Sequence, residues 1–354
     1  MALFSPSNDN AFLGVDIGDS SLKMVELKKK GKRVYLSNYA FSENVKKVNF
    51  TKLNDTGYLA KAINKLREES NIKAKKVTAS LPTFAVFSSI INLSGVDQAG
   101  LKRAVEDEAK KLIPLPLEEM ILDWKIIPKS EKEKEEKKTG TKVFLTGSPK
   151  KLVKKYLEVF KKAKLELVGL ETETFSLVRS LLGNDSANTL IVEIGANSTD
   201  LTVVKNSIPV LNRSLEVCGT SVTKALSEKL EISFLEAEQF KMDLQATLSD
   251  NNKEELPQLI IETMSPIIQE IEYMKDFFES KRNEKIEKII LSGSGSLLLN
   301  FDQYLSNRLD IQVVVGDPFS RLYYPKEIKE LLKQVGPKLA VATGLAMRNI
   351  FKKQ

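Results

Sequence analysis

The sequence predicts an α/β protein built from two copies of one unit, with a smaller strand–helix–strand–strand module inserted in the first copy. Three observations predict it. Strand and helix signals alternate along most of the 354 residues. Two hairpin-like stretches, LGVDIGDSSLKMVEL (13–27) and LIVEIGANSTDLTVV (190–204), repeat one pattern 177 residues apart. A third stretch, IILSGSGSLL (289–298), sends a buried strand into a Gly/Ser turn. Internal repetition of this kind says more about architecture than any single motif.

The elements follow in chain order. Residues 12–17 and 22–27 read as strands joined at Gly18-Asp19-Ser20-Ser21, and 33–41 as a third strand rich in β-branched and aromatic residues. Leu59, Ala62, Ile63 and Leu66 fall at helical spacing within 56–69. KKVTASLP is a strand stopped by Pro82, and 84–93 another. Leu101, Ala104, Val105, Glu108, Ala109 and Leu112 then make one mostly apolar helical face over 98–112, which Pro114 and Pro116 end. ILDWKIIP and TKVFLTGS are strands around the charged run at 129–140, a solvated hairpin tip. A helix at 149–163, the strand LELVGLET and the helix TETFSLVRSLL lead into the second hairpin. Helical patterns fill 220–280, where Met264, Ile267, Ile268, Ile271, Met274 and Phe278 form a core stripe. KLAVATGLAMRNIF closes the chain as a small-residue helix.

Composition narrows the chemistry. The chain is 42% hydrophobic and 29% charged, an ordinary globular balance. One cysteine, Cys218, rules out an internal disulfide and suits a reducing cytoplasm. The absence of histidine removes Ser-His-Asp and Cys-His catalysis and most zinc sites. The net charge of +7 would suit an anionic partner. Lysines are read as spread and interleaved with glutamates, without aromatic–basic interleaving, so no nucleic acid is expected. No run approaches the ~18 apolar residues of a membrane span, and MALFSPSNDNAF lacks the layout of a signal peptide.

The motifs point to phosphate. Asp16 sits between Val15 and Ile17 in a strand that reads as buried. A carboxylate there is costly without a partner. Gly18 and Gly195 are expected to supply positive φ and close backbone approach. The small polar residues after them offer hydroxyl and N–H donors: Asp19, Ser20 and Ser21 in one turn, and Ala196, Asn197, Ser198 and Thr199 in the other. Such turns cradle phosphate, and two facing each other would clamp a polyphosphate. Asp16 and Glu193 would then flank a hydrated Mg2+, which takes one or two carboxylates with waters and phosphate oxygens. On this reading the metal–nucleotide complex is the partner that Asp16 needs. Gly293-Ser294-Gly295, at a strand end, would let the backbone lie flat against a nucleotide.

Hairpin, hairpin and Gly turn in this order resemble the actin/Hsp70/sugar-kinase ATPase superfamily, whose nucleotide-binding core is ribonuclease H-like. The stretches FLGVDIGDSSLKMVEL, EDEAKKLIPLPLEEMILDW, EIGANSTDLTVV, AEQFK and ILSGSGSLL together look like the type IV pilus assembly protein PilM family, itself similar to FtsA. The resemblance implies subdomain IA at 10–76, an SHS2-like subdomain IC at 77–147, a return to IA over 148–188, IIA and IIB at 189–320, and a last return to IA at 321–354.

The resemblance also implies roles. Asp16, Gly18, Ser20, Ser21 and Lys23 match the first phosphate motif, and Glu193, Gly195, Asn197, Ser198 and Thr199 the second. Gly219 matches a glycine near the nucleotide, Glu238 and Lys241 a ribose- and base-contacting pair, and Gly293, Ser294 and Gly295 the adenosine motif. Glu193 departs from the superfamily's usual Asp, and Ser294 from its common Gly. Glu171 and Glu173 lie near where a hydrolytic group belongs, neither being assignable. The chain is thus expected to bind ATP and Mg2+ with slow or no turnover, the nucleotide acting as a conformational ligand.

The expected partner is the cytoplasmic N-terminal segment of a PilN-type protein, bound along 84–93 and 98–112, with other pilus platform proteins beyond it. Self-association stays open. The expected location is cytoplasmic, at the inner face of the membrane and only through a partner. Two other readings stand: an FtsA-like membrane filament protein, which would need a terminal amphipathic helix, and a small-molecule kinase of the same superfamily.

Overall fold

The computed structural model describes residues 10–18, 21–42, 55–97, 99–128, 140–247, 257–298 and 300–351. The first hairpin is β1 (Ala11–Ile17) and β2 (Leu22–Lys30), followed by β3 (Arg33–Ser42). The helix Thr56–Glu69 has the span its apolar spacing predicts; the Asp55 side chain caps it by accepting from the Tyr58 amide. β4 (Lys76–Leu81) is followed by a 3-10 turn, Thr83–Ala85, so the next strand, β5 (Phe87–Leu93), starts later than expected. The helix Leu101–Leu112, β6 (Met120–Ile126) and β7 (Thr141–Pro149) complete the inserted module. Its sheet has the order β5-β7-β6, with Val105 and Ala109 of the helix buried on Val143 and Leu145.

β8 (Glu166–Thr172) returns the chain to the first sheet, whose order is β3-β2-β1-β4-β8. The second copy comprises β9 (Thr189–Ile194), β10 (Thr199–Lys205), β11 (Ile208–Leu215), β12 (Lys288–Ser292) and β13 (Gln312–Val315). Its order, β11-β10-β9-β12-β13, is the same topology. In both sheets the hairpin pairs antiparallel, and the two later strands add in parallel. β11 and β13, absent from the expected elements, are edge strands. The edge position explains how Pro209 is accommodated in β11.

The helices Gly219–Leu230, Phe234–Thr247 and Gln258–Arg282 belong to the second half. The last presents the expected Met264-to-Phe278 stripe to its core.

The small-residue C-terminal helix, Ala340–Met347, is buried along its whole length. A Cβ at Gly14 of β1 would lie 1.9 Å from Ala342 O, and one at Gly344 2.0 Å from Ser176 O. Only small residues let this helix sit between β1 and the helix Glu173–Leu177. Val341 and Leu345 also pack with Leu177, Ile191 and Ile290, which joins the two halves through one apolar layer.

Candidate nucleotide-binding site

Both hairpin turns open into one cavity of about 390 Å³ between the halves, within the ordinary range of small-molecule sites. They close identically: the Gly18 amide donates to Ser21 O at 2.9 Å, and the Gly195 amide to Ser198 O at 2.9 Å. The antiparallel register sets Asp16 opposite Lys23 and Glu193 opposite Asp200. Equivalent positions of the repeat therefore carry an acid–base pair in one copy and two acids in the other.

The first pair changes the reading of Asp16. Lys23 Nζ donates to its Oδ2 at 3.0 Å and Ser80 Oγ to its Oδ1 at 2.8 Å, with Asp16 2% exposed. The buried carboxylate thus has protein partners, and its burial does not by itself demand a metal. Burial works against the charge of Lys23, but Asp16 and Glu193 outweigh it and raise its pKa. Burial drives Glu193 in the opposite sense, up to about 8; Lys23 opposes the rise, while Asp16 and Asp200 add repulsion. Burial likewise raises Asp200, against a hydrogen bond from Ser214.

The cavity separates the two hydrolytic candidates. Glu171 faces away, bound by Arg179, Arg348 and the Ser176 hydroxyl, and belongs to the scaffold. Glu173 lines the cavity. Burial first, then Asp16, Glu193 and Asp200, hold its pKa well above the usual carboxylate range. Its Oε2 accepts from the Thr83 amide at 3.2 Å and the Thr83 hydroxyl at 3.1 Å. Thr83 roots the inserted module. Phe175, two residues after Glu173, meets Phe144 of β7 edge-to-face with centroids 5.0 Å apart. One carboxylate therefore touches both the cavity and the base of the inserted sheet.

The glycines divide by role. Neither Gly18 nor Gly195 has the positive φ expected of it. A Cβ on Gly195 would lie 2.9 Å from Ser198 O, whereas one on Gly18 would have ordinary contacts at 3.5 Å. Close approach is thus the constraint at Gly195 alone. Positive φ belongs to Gly293, at +80°, where a Cβ would fall 2.4 Å from Ile194 O. Gly295 packs on Ile194 just as closely. The amides of Gly219 and Thr220 donate to Gly195 O and Ala196 O at 2.9 and 3.0 Å. This ties the N-terminus of the helix Gly219–Leu230 to the second turn, where its partial positive charge favours an anion.

Glu238 and Lys241 form a clamp between two helices. Lys241 Nζ donates to Glu238 Oε2 at 2.8 Å, Thr223 Oγ1 at 2.8 Å and Gly219 O at 3.2 Å.

Of the other expected residues, Ser21, Lys23, Ala196, Asn197, Ser198 and Ser294 line the cavity. Thr199 does not; fully buried, it donates to Val217 O at 2.7 Å and pins the strand end. Asp19 and Ser20 lie outside the described residues, as does the charged run at 129–139. Sequence reasoning missed Asp200, whose signal is the repeat itself, since it occupies the position of Lys23. It also missed Phe41, Phe84, Phe234, Leu235 and Lys338, which converge on the cavity only through tertiary folding.

The lining is of a kind that accommodates a nucleoside triphosphate: two glycine-bearing turns face one cavity, with Lys23 and Lys338 on its wall and the positive end of the helix Gly219–Leu230 beside the second turn. Among the described residues no three acids stand close enough to hold a bare metal ion. None of the described helices is long and apolar enough to cross a membrane.

A family model for the type IV pilus assembly protein PilM matches residues 14–350. Cell division protein FtsA of Bacillus subtilis (strain 168) is 22% identical over 272 residues, 70% of this chain and 61% of that protein. The chain thus spans less than two thirds of that relative's length. Among solved structures, a PilM–PilN type IV pilus biogenesis complex has a TM-score of 0.81 at 24% identity, covering 96% of this chain and 98% of that one. The ethanolamine utilization protein EutJ from Carboxydothermus hydrogenoformans has 0.55 at 16%, covering 98% and 90%. MreB5 of Spiroplasma citri bound to AMPPNP has 0.52 at 14%, covering 97% and 96%. The fold is the duplicated actin-like one, and with the family model matching nearly its whole length the chain belongs to the type IV pilus assembly protein PilM family.

Proposed function

We propose that this protein is a nucleotide-dependent scaffold of a type IV pilus assembly platform. It takes ATP with Mg2+ in the cleft and binds the cytoplasmic N-terminal segment of a PilN-type membrane protein beside the inserted module. The observation that carries the nucleotide reading is the pair of identically closed turns on one cavity lined by Asp16, Glu173, Glu193 and Asp200. A polyphosphate entering among four acids needs a divalent cation with it, and Asp16 and Glu193 flank the space where a hydrated ion would meet phosphate oxygens. The partner is inferred from family membership and from likeness to a PilM that was solved with PilN. Association with the membrane then comes through that partner.

Turnover is expected to be slow. Of the two acids, Glu173 lines the cavity and would be the one to orient an attacking water, but burial and neighbouring acids raise its pKa and Thr83 occupies one of its oxygens. The nucleotide acts by stabilising one arrangement of the halves through mass action. The test is calorimetric titration of a PilN-type N-terminal peptide with and without Mg-ATP. Micromolar-range binding (on the order of −8 kcal/mol) that weakens without nucleotide and in Asp16→Ala is expected. Equal binding by that variant would detach the cleft from partner recognition.

A further inference from the structure

Positive charge gathers in a few short stretches of this chain, and one of them is a single helix. Residues 150–164 contain seven lysines and a single acid, Glu158, a local net charge of +6 in fifteen residues. This departs from the interleaving expected of the lysines. Several surface lysines elsewhere stand beside acids, as in Lys65–Glu69, Lys111–Glu108 and Lys333–Glu330. On the helix Lys150–Lys162, Glu158 pairs with Lys162. Among the described residues, Lys150, Lys151, Lys154, Lys155, Lys161 and Lys164 form no ion pair.

The arrangement is directional. Tyr156, Val159, Phe160 and Ala163 are buried in the core of the first half and hold the helix rigidly. The opposite stripe of Lys150, Lys154, Leu157 and Lys161, continued by Lys164 just past the helix end, steps by four, three, four and three residues. That is one face of a helix, and every member is exposed. Leu157, at its centre, leaves 51% of its surface in solvent.

We propose that this face docks the protein directly on an anionic phospholipid surface. Lysine heads are attracted to anionic headgroups within a Debye length, and a central leucine gains only where an apolar layer lies beneath the charge. Nucleic acid offers the charge without that layer. The segment has no arginine to read bases, and its two aromatic residues are buried, so nothing here stacks on a base. The contact would hold a scaffold recruited by a membrane protein in a fixed orientation against the bilayer.

The test is co-sedimentation of the full chain with phosphatidylcholine vesicles, neutral or about one-third phosphatidylglycerol, and with duplex DNA in parallel. Binding to anionic vesicles alone is expected, abolished at about 1 M salt. The variant K154E/K161E should lower the partition coefficient about tenfold or more, and Leu157→Ser should lower it less. Both alter outward side chains, and an unchanged melting temperature checks their folding. Equal binding by K154E/K161E, equal binding to neutral vesicles, or binding to DNA without vesicles would each overturn the proposal.

Discussion

Replacing Lys23 with Met tests the central electrostatic feature of the cleft. The substitution keeps an unbranched side chain of similar length in β2 and removes only the charge that faces Asp16. Asp16 is 2% exposed and would keep a single donor, Ser80 Oγ, while Glu193 and Glu173 remain close. Removing one partner of a buried ion pair costs about 3–5 kcal/mol. Lys23 is itself 21% exposed, so water reaches the site and the cost should fall near about 3 kcal/mol. That corresponds to a loss of about 6–12 °C in melting temperature for a half of this size.

The assay is thermal unfolding of the ligand-free protein followed by circular dichroism, in the presence of a chelator. Asp16→Asn combined with Lys23→Met removes both charges and should recover most of the loss. A single variant melting within about 2 °C of the parent, or a double variant no more stable than the single one, would refute the pairing. A parent protein that itself loses stability on chelation would restore a metal as the partner of Asp16.

Three further outcomes follow from the same geometry. Glu193 has its folded pKa raised from 4.5 to about 8, so between those values the folded state holds more protons than the unfolded one. Stability of the ligand-free protein should therefore fall as pH rises from about 5 to about 8, and Glu193→Gln should flatten that slope in a melting series. Gly293→Ala puts a Cβ 2.4 Å from Ile194 O at a φ of +80°. It should cost about 2–3 kcal/mol of stability and weaken binding of a fluorescent nucleotide analogue; unchanged affinity would remove this turn from the site. Thr83→Val deletes the hydroxyl donor to Glu173 Oε2. It should reduce the nucleotide dependence of peptide binding by about 1 kcal/mol, about fivefold, while nucleotide affinity measured alone changes less.

The Thr83 prediction follows from a device with two attachment points. Glu173 bonds to the turn that leads into the inserted module, and Phe175 packs on Phe144 inside that module. A ligand that changes the charge or position of Glu173 is felt at both. These contacts are the route by which a ligand at Glu173 would reach the inserted module under the proposed function, and the Thr83 variant tests that route.

Much of this protein is legible from local patterns. The repeat of LGVDIG and LIVEIG announces two equivalent sheets, and the structure gives them the same strand order. Helix 56–69 follows from apolar spacing, and the Gly/Ser turns mark the points that converge on one cavity. Local periodicity works because it records which face of an element is buried, and a duplicated face implies a duplicated environment. The lysine surplus at 150–164 was equally present in the sequence, but only the helix direction shows that it forms one outward stripe.

Other features depend on groups brought together from far apart in the chain, and periodicity carries no information about those. Glu171 and Glu173 are two residues apart with the same chemistry. One is bound by Arg179 and Arg348, and the other by Thr83, ninety residues away. Asp16 looked unpaired because Ser80 lies sixty-four residues on and the register with Lys23 awaited the closed turn. β11 and β13 add at sheet edges, where short strands leave a weak signal. The sequence by itself thus determined the repeated architecture and the three loops of the cleft. Tertiary structure decided which acids are neutralised, which face the cavity, and how the inserted module is tied to them, because electrostatic partners are fixed by distance in space.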